Sequence, residues 1–314
     1  MKLQTQIPLK KQTENLIDYS SNILLFGSCF VENIGNKLAY FKFQNLLNPF
    51  GIIFHPKAIE TLIVGAIEKK QYSEKDIFLY NQQWHSFDAH SKLSNPSKEV
   101  LLLNLNSQLG FTNQQIQKAS HVIITLGTAW VYRFVASQNI VANCHKVPQK
   151  QFSKELLSVE EIVQSLENMV RLIKKENPDV AIIFTVSPVR HLKDGFIENT
   201  QSKSHLITAI HSILNDKIHY FPSYEIMMDE LRDYRFYAED MIHPNLLAIE
   251  YIWNKFKEVW ISEDSNSIMD EVDVIQKGLQ HKPFNPDLES HQKFLQNLEK
   301  SKLQLELKLP FIKF

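Results

Sequence analysis

Two short stretches of the 314-residue chain carry residue types suited to acyl chemistry: Gly27-Ser28-Cys29-Phe30 near one end and Asp240-Met241-Ile242-His243-Pro244-Asn245 near the other. A serine hydroxyl attacks a carbonyl once a base takes its proton, and a histidine base works best when a carboxylate fixes its tautomer and stabilises the imidazolium. Asp240 and His243 supply both groups. Their separation of three brings the two side chains to one face of a loop or helical turn, and Pro244 fixes the chain just behind the imidazole. Taken singly, each element has a plainer reading. Ser28 suits a helix N-cap, and Asp-x-x-His suits a surface carboxylate beside a capping histidine.

The elements around these residues follow from hydrophobic periodicity. Ile23-Leu24-Leu25-Phe26 is an unbroken apolar run ending at Gly27, the pattern of a strand buried on both faces. Val31, Ile34, Leu38 and Phe41 then recur at helical spacing, so Ser28 stands where a strand turns directly into a helix. Gly27 permits the sharp turn, and the helix N-terminus offers backbone N–H groups to an oxyanion. Phe43 to Leu47 reads as a second strand stopped by Asn48-Pro49-Phe50-Gly51, and residues 56 to 70 as a helix. Residues 72 to 97 are aromatic, polar and irregular, an inserted loop or hairpin. His121 to Leu126 and Val180 to Val186 are further buried strands, ending in Gly127-Thr128 and Ser187-Pro188. Trp130 to Phe134 and Ile140 to Ala142 suit an antiparallel pair. Ser158 and Glu161 form a capping box that opens a helix closed by Asn177-Pro178. A helix near Ser202 to Leu214, a strand near Lys217 to Tyr220 and a helix from Leu246 to Trp260 follow. Such alternation predicts a parallel sheet flanked by helices. The shift at Ser262-Glu263-Asp264-Ser265-Asn266 divides residues 1–261 from a mainly helical extension, 262–314. Within that extension Leu303, Leu305, Leu307 and Leu309 alternate with polar residues as in a strand.

In an open parallel sheet the ligand lies beyond the carboxyl ends of the strands. Asn48 there is a candidate for substrate binding. Arg190, His191 and Lys203, after the fourth long strand and on the next helix, are candidates for holding a substrate carboxylate or phosphate. Charge pairs within Leu231 to Tyr237, including Arg232 and Arg235, are expected to steady Asp240 and His243, and Trp84 and His85 suit either a lid or a packed hairpin. Cys29 reads as a small packed thiol beside the nucleophile. Cys144, His145 and His191 lack zinc-type spacing, so no metal and no other cofactor is expected.

Composition narrows the function classes. Hydrophobic residues make up 44% and charged residues 22%, the balance of a globular protein, and a net charge of −1 gives no electrostatic reason for nucleic acid or anionic membrane. The partner expected is a small molecule. No run approaches the roughly 18 apolar residues of a membrane span, and the N-terminal stretch lacks the apolar core of a secretory leader. The expected location is the cytoplasm, and the two cysteines are expected as free thiols.

Several stretches together resemble one family. Gly27-Ser28-Cys29-Phe30 with Glu32-Asn33-Ile34-Gly35 resembles the motif that names the GSCFA family, which belongs with the SGNH (GDSL-like) hydrolases. Asn48-Pro49-Phe50-Gly51, Thr125 to Trp130, Asn143-Cys144-His145-Lys146, Thr185 to His191 and Tyr220 to Pro244 are similar to the same family, in order, over roughly residues 20 to 260. The resemblance implies a flavodoxin-like three-layer α/β/α fold with a five-stranded parallel sheet in the order 2-1-3-4-5. It also implies ester hydrolysis by a Ser28-Asp240-His243 triad, on an acylated carbohydrate or other small ester. Acyl transfer on the same scaffold, or recognition without catalysis, are the alternatives. The superfamily's Gly-x-Asn-Asp block, whose Asn donates to the oxyanion, is replaced here by Gly127-Thr128-Ala129-Trp130. Ser28, Gly51, Thr128 and Asn143 are therefore the candidate oxyanion donors.

Overall fold

The computed structural model describes residues 4–314. The buried apolar runs form β1 (Asn22–Gly27), β5 (His121–Leu126) and β9 (Ala181–Val186), joined by β2 (Gln44–Leu47) and β10 (Ile218–Phe221) in one sheet. Every pairing in that sheet is parallel, and its order is β10-β9-β5-β1-β2. The expected numbering, 2-1-3-4-5, left out strands that the chain places in smaller sheets. The hairpin β3 (Phe78–Tyr80) and β4 (Gln83–His85) follows β2, and β6 (Trp130–Phe134), β7 (Ile140–Val141) and β8 (Phe152–Leu156) form an antiparallel sheet after β5.

Alternate residues of the central strands enter two separate cores, as a side-chain period of two requires. Leu24, Phe26, Val122, Ile124, Ile182 and Phe184 pack with α2 (Pro56–Ile67), α3 (Lys98–Lys118), α4 (Val159–Glu176) and α5 (Phe196–Ser212). Ile23, Leu25, Ile123 and Ile183 point the other way, toward α1 (Cys29–Tyr40), α7 (Leu246–Trp260) and α8 (Asn266–Gln280). A short helical turn, α6 (Ser223–Glu225), follows β10. The capping box of Ser158 and Glu161 opens α4 with both reciprocal hydrogen bonds in place.

The chain after residue 262 corrects one expectation. Residues 303–308 are not a strand; they lie in α9 (Glu289–Lys308). Leu298 and Leu305, two helical turns apart, are buried against the α1–α7 side, whereas Leu303 and Leu307 face outward. The alternation in sequence comes instead from two outward-facing leucines, Leu303 and Leu307, on either side of the buried Leu305. Among the described residues no helix is long and apolar enough to cross a membrane.

Candidate active site

Because β1, β2, β5 and β9 are parallel, Gly27-Ser28, Asn48, Gly127-Thr128 and Ser187-Pro188 all emerge at one edge of the sheet. Gly27 adopts φ +138°, and a Cβ there would sit 2.1 Å from the Thr125 carbonyl oxygen, so only glycine lets β1 lie this close to β5. Ser28 follows as the N-cap of α1, its Oγ accepting a long hydrogen bond of 3.3 Å from the Phe30 N–H. The serine is only 1% exposed. Its hydroxyl therefore lies at the positive end of a helix and has weak local commitments.

Asp240 and His243 are brought together. Asp240 Oδ2 accepts from His243 Nδ1 at 2.6 Å, and Oδ1 accepts from the Ile242 and His243 backbone N–H groups at 2.9 Å each. These backbone bonds, then the imidazole, hold the Asp240 carboxyl down at about 2. With Nδ1–H donating to the carboxylate, neutral His243 presents Nε2 as an acceptor, the state a general base requires. Both side chains are nearly half exposed, 48% for His243 and 46% for Asp240, and His243 makes no hydrogen bond to Ser28.

The loop is held differently from expectation. Among the described residues Arg235 pairs only with its neighbour Asp233, both side chains exposed, and Arg232 is exposed as well. Charges that close in sequence and that wet add little rigidity. Backbone bonds fix the loop instead: Ala238 N–H donates to His243 O at 2.8 Å, and Met241 N–H to Ala238 O at 2.9 Å. Asn245 caps α7 with Oδ1 while its Nδ2 donates to the carbonyls of Arg235 and Tyr237.

Most of the expected oxyanion donors are already engaged. Ser28 N–H donates to Thr125 O at 3.1 Å, and Gly51 N–H donates to Asn48 O at 2.8 Å. Thr128 Oγ1 shares a proton with Ser202 Oγ at 2.9 Å and accepts from Trp130 N–H. Asn143 lies in the loop after β7, its Oδ1 accepting from His145 N–H at 2.8 Å. Asn48 differs: Oδ1 accepts from Gly27 N–H at 2.9 Å, and Nδ2 is buried with no partner among the described residues.

Lys203 corrects another expectation. Rather than facing substrate it is 1% exposed, its Nζ donating to Gly127 O and Ser187 O at 2.7 Å each. Burial pushes this ammonium down to about 7, against the influence of the nearby Cys29 thiol. A buried Nζ with two carbonyl partners clamps the ends of β5 and β9 together. Arg190 donates to Tyr237 Oη at 3.2 Å and lies over that ring, and no carboxylate among the described residues pairs with it. It thus joins the turn after β9 to the Asp240–His243 loop. His191 packs on Phe54, and its Nε2 would stand 3.1 Å from a Cβ at Gly127. Burial, then the charges of Lys203 and His243, hold its imidazole at about 3, so it is neutral at physiological pH. Its Nε2 has no partner among the described residues.

Two residues that sequence reasoning passed over complete this scaffold. Asn199 Oδ1 accepts from His191 N–H at 2.9 Å, and Ser202 Oγ accepts from Ala129 N–H at 2.7 Å. Asn199, Ser202 and Lys203 stand at i, i+3 and i+4 of α5, one polar face turned inward, and that spacing was the available signal.

The remaining candidates lie apart from this chemistry. Burial, then Glu32, raises the Cys29 thiol, and burial raises Cys144 to about 11, so both stay protonated. The His85 and His145 rings lie tilted with centroids 4.5 Å apart, His145 Nε2 donates to Ser86 O, and His85 bonds to Tyr80 within its own hairpin and to Ser94 beyond it. Trp84 pairs through its backbone with Asn95. The part of this insertion that reaches the strand ends is its return: His90 N–H donates to Phe50 O, and His90 lies against Gly51. A cleft of about 670 Å³ opens elsewhere, between Lys57, Lys70, Asp88 and Arg133, and Ser28 and His243 do not line it.

Comparison with known proteins places this site in a family context. The GSCFA family model matches residues 22–256, and the model described as GSCFA domain protein, C-terminal domain, matches residues 272–314. No curated protein matches the chain.

Proposed function

The chain belongs to the GSCFA family, and from that premise we propose that it is a serine-dependent ester hydrolase of the SGNH (GDSL-like) type on a flavodoxin-like scaffold. The observation that carries the reading is the Asp240–His243 couple, which leaves Nε2 as a free acceptor on the loop that Arg190 and Tyr237 tie to the strand ends. In this mechanism Ser28 Oγ bonds to the ester carbonyl carbon and its proton passes to His243 Nε2. The carbonyl π pair moves onto oxygen. Collapse expels the alcohol, which takes the proton back from His243, and water resolves the acyl-serine by the same route. A sugar hydroxyl in place of that water makes the reaction an acyl transfer. Arg190, without an acidic partner, suits a carboxylate or phosphate on a small acylated substrate such as an acylated carbohydrate.

The burial of Ser28 and its lack of a bond to His243 favour a second reading, in which the cleft recognises a ligand without catalysis. Catalytic hydrogen bonds in unliganded enzymes are frequently long and tighten only with substrate. Labelling by a fluorophosphonate separates the two. The hydrolase reading expects the protein to be labelled, Ser28→Ala to be silent, and Asp240→Asn to be slowed by ~10²- to 10⁴-fold through loss of the correct tautomer. An unlabelled folded protein, or a labelled Ser28→Ala variant, leaves recognition as the function.

A further inference from the structure

We infer that the side-chain amide of Asn48 is the oxyanion donor of this site, an assignment that rests on the hydrolase reading above. Six buried side-chain nitrogen or oxygen atoms among the described residues have no hydrogen-bond partner, and three of them, Asn48 Nδ2, Thr125 Oγ1 and His191 Nε2, belong to residues at or beside the ends of β2, β5 and β9. Folded chains leave few polar atoms in that condition, and each one calls for an explanation such as strain, a catalytic role or a bound group. Thr125 lies inside the sheet, level with Gly27. His191 overhangs Gly127 on the far side of β5. Asn48 stands next to the nucleophile's own turn.

The orientation of the Asn48 amide follows from its partner. The Gly27 N–H can only donate, so the atom 2.9 Å from it is the amide oxygen and the opposite atom is NH₂. Amide oxygen and nitrogen are about 2.2 Å apart, which puts Nδ2 within about 5 Å of the Gly27 nitrogen, one residue before Ser28 in the chain. The residue is held on three sides. Its N–H donates to Leu25 O, its carbonyl accepts from Gly51 N–H, and its backbone takes φ +43°, which asparagine tolerates better than most residues. A donor fixed in this way needs no reorganisation when charge develops, which is the condition for strong oxyanion stabilisation. When Ser28 Oγ bonds to the carbonyl carbon and His243 takes the proton, the electron pair displaced onto oxygen meets Asn48 Nδ2–H. That hydrogen bond is weaker to the neutral ester oxygen, so the amide acts on turnover more than on substrate binding.

The test uses the full chain, p-nitrophenyl acetate as substrate, a fluorophosphonate to count active sites, and an aryl trifluoromethyl ketone, whose adduct with serine carries the oxyanion. Asn48→Asp keeps the acceptor for Gly27 and the tolerance of positive φ but replaces the donor by an acceptor. Asn48→Gly removes the donor without adding charge. For both, kcat per active site is expected to fall by roughly 10²- to 10³-fold, with KM nearly unchanged and the ketone bound more weakly by a similar factor. A purely structural role would lower the number of active sites and leave kcat per site intact. If the folded variants keep kcat and ketone affinity within about threefold while Ser28 is labelled normally, the Asn48 assignment falls and the hydrolase reading stands. If the unmodified protein neither turns over the ester nor labels, the hydrolase reading falls and takes the assignment with it.

Discussion

Lys203→Met should abolish a rise of stability with pH that the unmodified protein shows above about pH 7. The lysine is 1% exposed and has two carbonyl partners and no carboxylate, and burial brings its ammonium from 10.5 down to about 7. Between those two values the unfolded chain holds a proton that the folded chain has released. The difference in bound protons is thus positive and close to one, and unfolding free energy rises with pH by about 1.4 kcal/mol per unit. From pH 7.5 to 9.5 the gain from this one group is about 2–3 kcal/mol. Methionine removes the proton and leaves two buried carbonyls without a donor, at about 1–3 kcal/mol each. Near pH 7 that loss is offset by relief of the lysine's desolvation, about 5 kcal/mol for a shift of this size. The two proteins should therefore be similarly stable near pH 7 and diverge steadily in alkali. Urea unfolding followed by tryptophan fluorescence, at half-unit steps across this window, measures the difference. Parallel curves would refute the argument, because they would mean that Lys203 keeps its proton in the fold.

The acid side carries the complementary expectation. Burial holds His55 and His145 at about 4 and, with Lys203 and His243, holds His191 at about 3. All three stay neutral in the fold while the unfolded chain protonates below its ordinary value near 6.5. Stability is then lost as pH falls through that value toward the folded ones, by about 2 kcal/mol per histidine at pH 5 relative to pH 8. His55→Asn, which retains an N-cap acceptor for α2, should flatten the urea midpoint against pH, and an unchanged slope would show that His55 does not titrate on unfolding. Gly27→Ala must push a Cβ off the Thr125 carbonyl at φ +138°, separating β1 from β5 directly under Ser28. A loss of about 4 kcal/mol or failure to fold is expected, and a melting temperature within 2 °C of the unmodified protein would contradict it.

What the sequence disclosed, and what it withheld, divides along physical lines. β1, β5 and β9 were legible because burial on both faces leaves an unbroken apolar run. α3 was not, because its buried stripe of Leu101, Leu105, Leu109 and Ile116 is interrupted by buried Thr112 and Asn113. Asn113 is accommodated there only because its amide donates to Ala66 O on α2, a partner known only from the fold. The site shows the same division. Ser28, Asp240 and His243 were candidates from residue type and spacing, though each had a plainer reading as a cap or surface pair until the family resemblance set them together. The clamp made by Lys203 was not legible, because its partners are backbone carbonyls, which carry no sequence identity, and a lysine on a helix reads as solvated. The role inferred for Asn48 is more hidden still: it rests on an N–H left unpaired, and an unmade bond leaves no trace in a sequence.

That division bears on how the edge of the sheet works. Apolar packing fixes the strands, but the loops beyond them are ordered by a polar face of α5, with Asn199 holding the turn at His191, Ser202 the Ala129 peptide, and Lys203 the carbonyls of Gly127 and Ser187. Each of these bonds is buried or partly buried, so none can be exchanged for water without cost. The turn at Ser28 is held from the opposite side, by Asn48 through Gly27. Ser28 thus sits between two polar braces anchored on different elements. Under this reading its reactivity depends on the registration of those braces as much as on the half-exposed Asp240–His243 pair, which the loop bonds alone already hold in working order.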